Sequence, residues 1–128
     1  MTIQELLPIL SLVLVLALTL PQLFGAAQKP GLWRLPAALS IAFAIFSVMT
    51  IMVEGPLGFW ANHSQDFWGN QVWIDLLLAV ALTWTLILPR ARAQGMFLGG
   101  WFIFMVTTAS IGLLAMLARL WYLEERRA

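Results

Sequence analysis

One long apolar stretch decides the class of this protein: residues 6–27 read LLPILSLVLVLALTLPQLFGAA and carry no charged side chain. A helix needs about 20 apolar residues to cross the hydrocarbon core of a bilayer, so this stretch is long enough to span. A secretory signal peptide would carry basic residues before its apolar run, whereas the residues before Leu6 include one acid, Glu5, and no base. The stretch therefore predicts a transmembrane helix that is retained.

Three further apolar stretches follow, separated by segments with turn chemistry. Pro, Gly, cations and a Trp interrupt the pattern before Pro36, the run Glu54-Gly55-Pro56 ends the second stretch, and Pro89 closes the third. The sequence predicts an all-α fold, a four-transmembrane-helix bundle in a single domain over residues 1–128. Its helices are expected at about residues 6–27, 36–53, 72–88 and 96–122, with a short interfacial segment between the second and third.

Composition agrees with a membrane protein and excludes several functions. Of the residues, 62% are hydrophobic and 10% are charged, and the mean hydropathy is +0.90, whereas soluble domains carry about 25% charged residues. The sequence has no cysteine, which excludes disulfides, thiolate metal sites and cysteine nucleophiles. The net charge is +1 and the cations form no basic stripe, so nucleic acid is not an expected partner.

The cations between helices predict an orientation. Four of them lie in the first and third loops, namely Lys29, Arg34, Arg90 and Arg92, and the loop of residues 54–71 has none. Cytoplasmic loops carry the excess of Lys and Arg. We therefore predict an integral protein of a bacterial inner membrane, with loop 54–71 and both termini outside. Arg126 and Arg127 oppose this prediction for the C-terminus.

The loop between the second and third helices is rich in aromatic residues. We define the interfacial aromatic set as Phe59, Trp60, His63, Phe67, Trp68 and Trp73. Spacing by four in a short helix would place several of them on one side. One interpretation is an anchor at the headgroup level, where Trp is enriched; the other is a lid or docking surface that contacts a lipid, quinone or pigment.

No cofactor site is encoded in these residues. His63 is the only histidine, so the chain cannot build a bis-histidine haem or a zinc site by itself. The serines in the apolar stretches have no base beside them in sequence, and no glycine-rich phosphate loop occurs. The expected contacts are therefore with membrane lipids and with other membrane subunits.

Small and polar residues recur at helical spacing and predict helix–helix faces. The second helix carries Ala37, Ser40, Ala44, Ser47 and Thr50; the third carries Asp75, Ala79 and Thr83; the fourth carries Thr108, Gly112 and Ala115. These stripes lead to ionisable residues. With four crossings, Glu54, Asp75 and Arg119 would lie near the same membrane face and form an intramembrane charge cluster.

This predicted cluster has two interpretations. As a structural clamp, the guanidinium of Arg119 would bond Asp75 and hold the helices in register. As a functional site, the excess carboxylate would exchange protons or bind a cation.

The C-terminal half resembles a known kind of membrane protein. Residues 70–76 read NQVWIDL and precede an apolar helix; a turn ending at Gly95-Met96 follows, and the last helix closes on LWYLEER at residues 120–126. This pattern resembles a family of small bacterial four-helix integral membrane proteins of unknown function. The resemblance implies the fold and draws attention to Asp75, and it implies no activity.

The sequence favours a function without catalysis. We expect an accessory or structural subunit of a larger membrane complex, such as a respiratory or photosynthetic one. The alternative is a small oligomeric transporter or channel that uses Glu54, Asp75 and Arg119. A membrane enzyme with Asp75 or Glu54 as its base ranks third, because only the carboxylates favour it.

Overall fold

The computed structural model describes residues 1–25 and 29–128, and within them it is helical with no strand. Its elements are α1 (Ile3–Thr19), a 3₁₀ helix (Leu20–Phe24), α2 (Arg34–Glu54), α3 (Gly58–Ser64), α4 (Phe67–Ala93), α5 (Leu98–Thr108) and α6 (Ser110–Arg127). The predicted all-α class is confirmed. Three segments of this part of the chain are long and apolar enough to cross a membrane, namely Ile3–Phe24, Arg34–Glu54 and Phe67–Ala93. The predicted count of four crossings is not confirmed.

Side-chain caps explain why α1 begins earlier than expected. The hydroxyl of Thr2 accepts a hydrogen bond from the Glu5 backbone N–H at 3.3 Å, and the Glu5 carboxylate accepts one from the Thr2 N–H at 2.7 Å. This capping box satisfies two backbone donors that the first turn leaves free. The predicted end of the helix at Ala27 lies outside the described residues.

α4 is longer at both ends than the hydropathy pattern predicts. The carboxylate of Asp66 accepts a hydrogen bond from the Gly69 N–H at 2.7 Å and so caps a helix that begins at Phe67. At the other end the helix continues through Pro89 to Ala93. Proline removes one backbone hydrogen bond, but burial of Ala91 in the core holds the last turn in helical geometry.

The prediction of one continuous helix over residues 96–122 is wrong. Ala109 interrupts it with φ 52° and ψ −111°, and α5 and α6 run antiparallel from this point. Near the turn, Gly112 lies against Phe104; at the far end, Leu98 packs against the core cluster that contains Leu120. With 11 residues, α5 is about 16 Å long, roughly half the thickness of the hydrocarbon core.

The residues around Ala109 explain the reversal. The Thr108 hydroxyl donates to the Phe104 carbonyl at 2.7 Å and accepts from the Gly112 N–H at 2.9 Å. A Cβ at Gly112 would lie 2.8 Å from the Phe104 carbonyl oxygen and 2.9 Å from the Met105 nitrogen, so only glycine fits this close approach. Thr108 and Gly112, which the sequence analysis assigns to a packing stripe, form the turn of a helical hairpin.

α6 is the central helix and packs against α2, α4 and α5. The predicted face of α2 is confirmed, because its stripe from Ala37 to Thr50 falls on residues that are buried or half-buried. Ser40 is 6% exposed, and its hydroxyl donates to the Ile111 carbonyl at 2.8 Å. Small side chains let these two helices approach closely.

The predicted face of α4 is wrong, since Asp75 and Ala79 are exposed. The helix turns a different side toward its neighbours, one formed by larger residues at intervals of three and four: Trp73, Leu76, Val80, Trp84, Ile87 and Ala91. The core cluster lies at the end of this side and consists of Ile87, Ala91, Met96, Met116 and Leu120. The carboxylate of Asp75 therefore points away from the rest of the chain.

Candidate functional site

The segment between α2 and α4 folds back onto α4. It contains the short helix α3, which packs on the first turns of α4. The aromatic spacing predicts a short helix for Phe59 and His63, but Phe67 and Trp68, expected with them, begin α4. The Asn70 amide donates to the His63 carbonyl at 2.7 Å. The Gly69 backbone lies so close to the Asn62 carbonyl that no side chain fits there. These contacts fix α3 against α4.

The structure divides the interfacial aromatic set into two groups. Phe59 and His63 pack on Trp73, with ring centroids 6.1 Å and 5.1 Å from its ring. Phe59 is still 51% exposed, and the other three make no such ring contact and have relative exposures of 58% for Trp60, 90% for Phe67 and 79% for Trp68. The first group holds the loop together, and the second presents rings to whatever surrounds this end of the molecule.

Among residues 1–25 and 29–128 no group of three or more His, Asp or Glu side chains is placed so that it could hold a metal ion. The Nδ1 atom of His63 is buried without a hydrogen-bond partner among the described residues. Its ring contact with Trp73 gives it a packing role.

The three residues of the predicted charge cluster do not come together. Arg119 lines a cleft with Ala37, near the start of α2, whereas Glu54 ends that helix about 25 Å further on at a rise of about 1.5 Å per residue. Asp75 likewise lies about 22 Å along α4 from Arg90. The hairpin at Ala109 is the cause, because it returns α6 to the end where it started.

The last two turns of α6 make contacts that determine where its C-terminal end lies. The Arg90 guanidinium donates to both oxygens of Glu124, with Nε–Oε1 at 2.9 Å and Nη2–Oε2 at 2.6 Å. The Glu125 carboxylate accepts from the Gly31 N–H at 2.9 Å. The C-terminus therefore lies with the first and third loops, at the end opposite loop 54–71. The sequence predicts the C-terminus on the same side as that loop, whereas the structure places the two at opposite ends of the molecule.

All seven Lys and Arg residues of the chain belong to this end of the molecule, which we call the cationic end. They are Lys29, Arg34, Arg90, Arg92, Arg119, Arg126 and Arg127. The cationic end also holds two acids. Glu124 forms a salt bridge with Arg90, and Glu125 accepts a hydrogen bond from the Gly31 N–H. The cationic end thus keeps an excess of positive charge.

Three arginines at the cationic end lie over two aromatic rings. The guanidinium carbons of Arg119 and Arg126 are 5.7 Å and 5.2 Å from the Tyr122 ring centroid. Arg34 lies 5.6 Å from the ring of Trp33, and Trp33 meets Tyr122 edge to face at 5.3 Å. We call these five residues the arginine–aromatic cluster.

Sequence reasoning missed this cluster because it assigned Arg119 to the other end. One signal could have found it. Arg119, Tyr122 and Arg126 are spaced by three and four, which places them on one side of a helix. The nearby Trp33 and Arg34 belong to the first loop and the start of α2, and only the hairpin brings them to α6.

Comparison with known protein families, curated proteins and solved structures finds no match to this chain. The resemblance of the C-terminal half to small bacterial four-helix membrane proteins stays a prediction.

Proposed function

We propose that the chain is an integral protein of a bacterial inner membrane that crosses the bilayer three times, through α1 with its 3₁₀ extension, α2 and α4. The hairpin of α5 and α6 enters the membrane from the cationic end and returns to it, because α5 is too short to cross. With the cationic end in the cytoplasm, every Lys and Arg satisfies the positive-inside rule. Arg126 and Arg127 then favour the same orientation as the other cations.

The proposed function is that of a non-catalytic accessory subunit that binds other membrane proteins through α4 and α1. The observation that carries it is Asp75. Its side chain is exposed on α4, on a helix about 40 Å long whose cationic end is marked by Arg90. A charge in the apolar region costs at least about 2.5 kcal/mol unless it is paired or hydrated. Within the described residues Asp75 forms no salt bridge, so a partner protein is the expected source of its pair.

α1 supports the same proposal. None of its residues is buried, and neither is any residue of its 3₁₀ extension. The other two candidate spans each contribute buried residues to the packing around α6. A helix that buries none of its own residues is available for contact with a neighbouring subunit.

Affinity purification in mild detergent tests the proposal. The wild-type chain should bring down one or more membrane proteins at fixed stoichiometry, and Asp75→Leu should lose them while the isolated chain keeps its stability. Glu54→Leu is the matched control, because it removes an exposed acid from the same end on another helix, and it should keep the partner. Retention of the partner by Asp75→Leu would overturn the proposal.

A second candidate is the small oligomeric transporter or channel. The same exposed carboxylate favours it, since Asp75 would line an interface between copies of this chain. Arg119 takes no part in this version. A homo-oligomer as the only species that purifies, together with ion or proton flux in vesicles that Asp75→Asn abolishes, would favour transport over the accessory role.

A further inference from the structure

Three residues of the arginine–aromatic cluster, Trp33, Arg119 and Tyr122, line an open cleft between the start of α2 and the end of α6. Ala37 and Ala118 line the cleft together with Trp33, Arg119 and Tyr122, and its volume is about 440 Å³. The small alanine side chains leave room between the two helices. A ligand in this cleft would meet the apolar surface of the alanines and the guanidinium group of Arg119, with Arg126 over the same Tyr122 ring.

The charges at this cleft are unbalanced. Arg34, Arg119 and Arg126 form no salt bridge within residues 1–25 and 29–128, where the one ion pair is Arg90–Glu124. Glu125 is the other acid at the cationic end; its carboxylate accepts from the Gly31 N–H, so the three arginines outnumber it. Aromatic rings hold the three guanidinium groups by cation–π contact, which orients them and leaves their N–H donors for an anion.

We propose that the arginine–aromatic cluster binds the phosphodiester headgroup of an anionic phospholipid, with one acyl chain along the α2–α6 groove. Guanidinium groups bond phosphate oxygens in pairs, and Trp and Tyr prefer the depth of the headgroups. The apolar floor formed by Ala37 and Ala118 suits an acyl chain and would give nothing to a free phosphate ion. This inference requires the chain to lie in a bilayer, but it does not depend on the subunit role.

Lipid binding to the purified full chain tests the proposal. The protein is delipidated in a neutral detergent and titrated with phosphatidylglycerol, with phosphatidylcholine as the zwitterionic comparison and inorganic phosphate as a competitor. Native mass spectrometry counts the bound lipids. We expect one saturable phosphatidylglycerol site, a preference of tenfold or more over phosphatidylcholine, and no displacement by millimolar phosphate.

Three variants assign the site to the cluster. Arg119→Gln and Arg126→Gln should each weaken phosphatidylglycerol binding by about fivefold, which corresponds to about 1 kcal/mol per cation near an anionic lipid. Arg92→Gln is the matched control, since it removes the same charge from the cationic end outside the cluster, and its affinity should change less than twofold. Both cluster residues are exposed, so the variants should fold.

Several results would overturn the proposal. Equal affinity for the two lipids, or an equal loss in Arg92→Gln and Arg119→Gln, would mean that the cationic end attracts anions without a defined site. Displacement by inorganic phosphate at a similar concentration would assign the site to a soluble phosphate. Failure of the Asp75→Leu experiment would leave these binding results unchanged, which separates this inference from the proposed subunit role.

Discussion

α1 is the least buried of the long helices and α6 the most buried. Their apolar character would suggest the opposite, because α1 is strongly apolar and α6 carries several charges. α1 with its extension has 22 residues, among which Glu5 is the one charged residue, and none is buried. α6 carries three arginines and two glutamates, and five of its residues are buried: Gly112, Leu113, Met116, Ala118 and Leu120. Among the three candidate spans the most apolar one therefore contributes no buried residue to the core.

The physical reason is that lipid, and not water, surrounds these helices in the proposed bilayer. Lipid covers apolar side chains as well as another helix does, so hydrophobicity does not drive helices together inside a bilayer. Close packing of small residues and hydrogen bonds between helices do, and α6 has both through Gly112, Ala118 and the bond from Ser40 to Ile111. α1 has long side chains on all sides, and its hydroxyls bond to its own backbone.

The largest loss of stability is expected from a substitution at Gly112, where α6 packs against α5. Gly112→Ala places a methyl group against the Phe104 carbonyl and the Met105 nitrogen, and such overpacking costs about 1–3 kcal/mol. Thermal or denaturant unfolding in detergent measures the loss.

Gly99→Ala is the control for this change. Its methyl group would meet nothing closer than the Phe97 ring at 3.7 Å, so higher helix propensity should leave stability unchanged or raise it by up to about 1 kcal/mol. A stabilising effect of Gly112→Ala would mean that α6 does not pack against α5 as described.

Ala109→Gly tests the break between α5 and α6, because the sign of the change in the free energy of unfolding differs between a hairpin and a continuous helix. Ala109 has φ 52° and ψ −111°, a backbone conformation that costs a non-glycine residue about 1–3 kcal/mol and that glycine adopts at little cost. The variant should therefore raise the free energy of unfolding by about 1 kcal/mol. In a continuous helix the same change would lower it by about 1 kcal/mol, so a loss of stability would contradict the hairpin.

A smaller effect is expected where α2 meets α6. Ser40→Ala removes the hydrogen bond to Ile111 and should lower the unfolding free energy by about 0.6–1 kcal/mol, the usual value of such bonds between membrane helices. Ser11→Ala removes a hydroxyl that bonds within α1, to the Leu7 carbonyl, and should change stability by less than about 0.3 kcal/mol. Equal losses would mean that α1 is packed as tightly as α2.

The smallest effect is expected for the Arg90–Glu124 pair, which ties α6 to α4. The two side chains are 49% and 25% exposed, and water screens such pairs to about 0.5–1 kcal/mol. A double-mutant cycle with Arg90→Gln and Glu124→Gln measures this coupling. A coupling energy of zero would mean that the apolar core alone holds the end of α6 in place.

The sequence predicted the helical class and four spans, and three of these coincide with candidate membrane spans of the structure, because hydropathy measures what lipid accepts. It also predicted the small-residue face of α2. The short helix expected from the aromatic spacing is present for Phe59 and His63, but Phe67 and Trp68 belong to α4 instead. The sequence did not predict the turn at Ala109, since Ala is a strong helix former and hydropathy stays high across Thr108 and Gly112. That one missed turn explains three wrong predictions. Arg119 was placed at the wrong end of the molecule, it was therefore expected to lie near Glu54 and Asp75, and the C-terminus was expected beside loop 54–71.

The most direct test of this account is the accessibility of single cysteines in intact cells, since the sequence contains no cysteine of its own. Ser64→Cys in α3 and Ala128→Cys at the C-terminus report the two ends of the molecule. An impermeant thiol reagent should label the cysteine at position 64 in intact cells and the one at position 128 only after lysis. Labelling of both from the same side would contradict the returning hairpin and would restore a fourth crossing over residues 96–122.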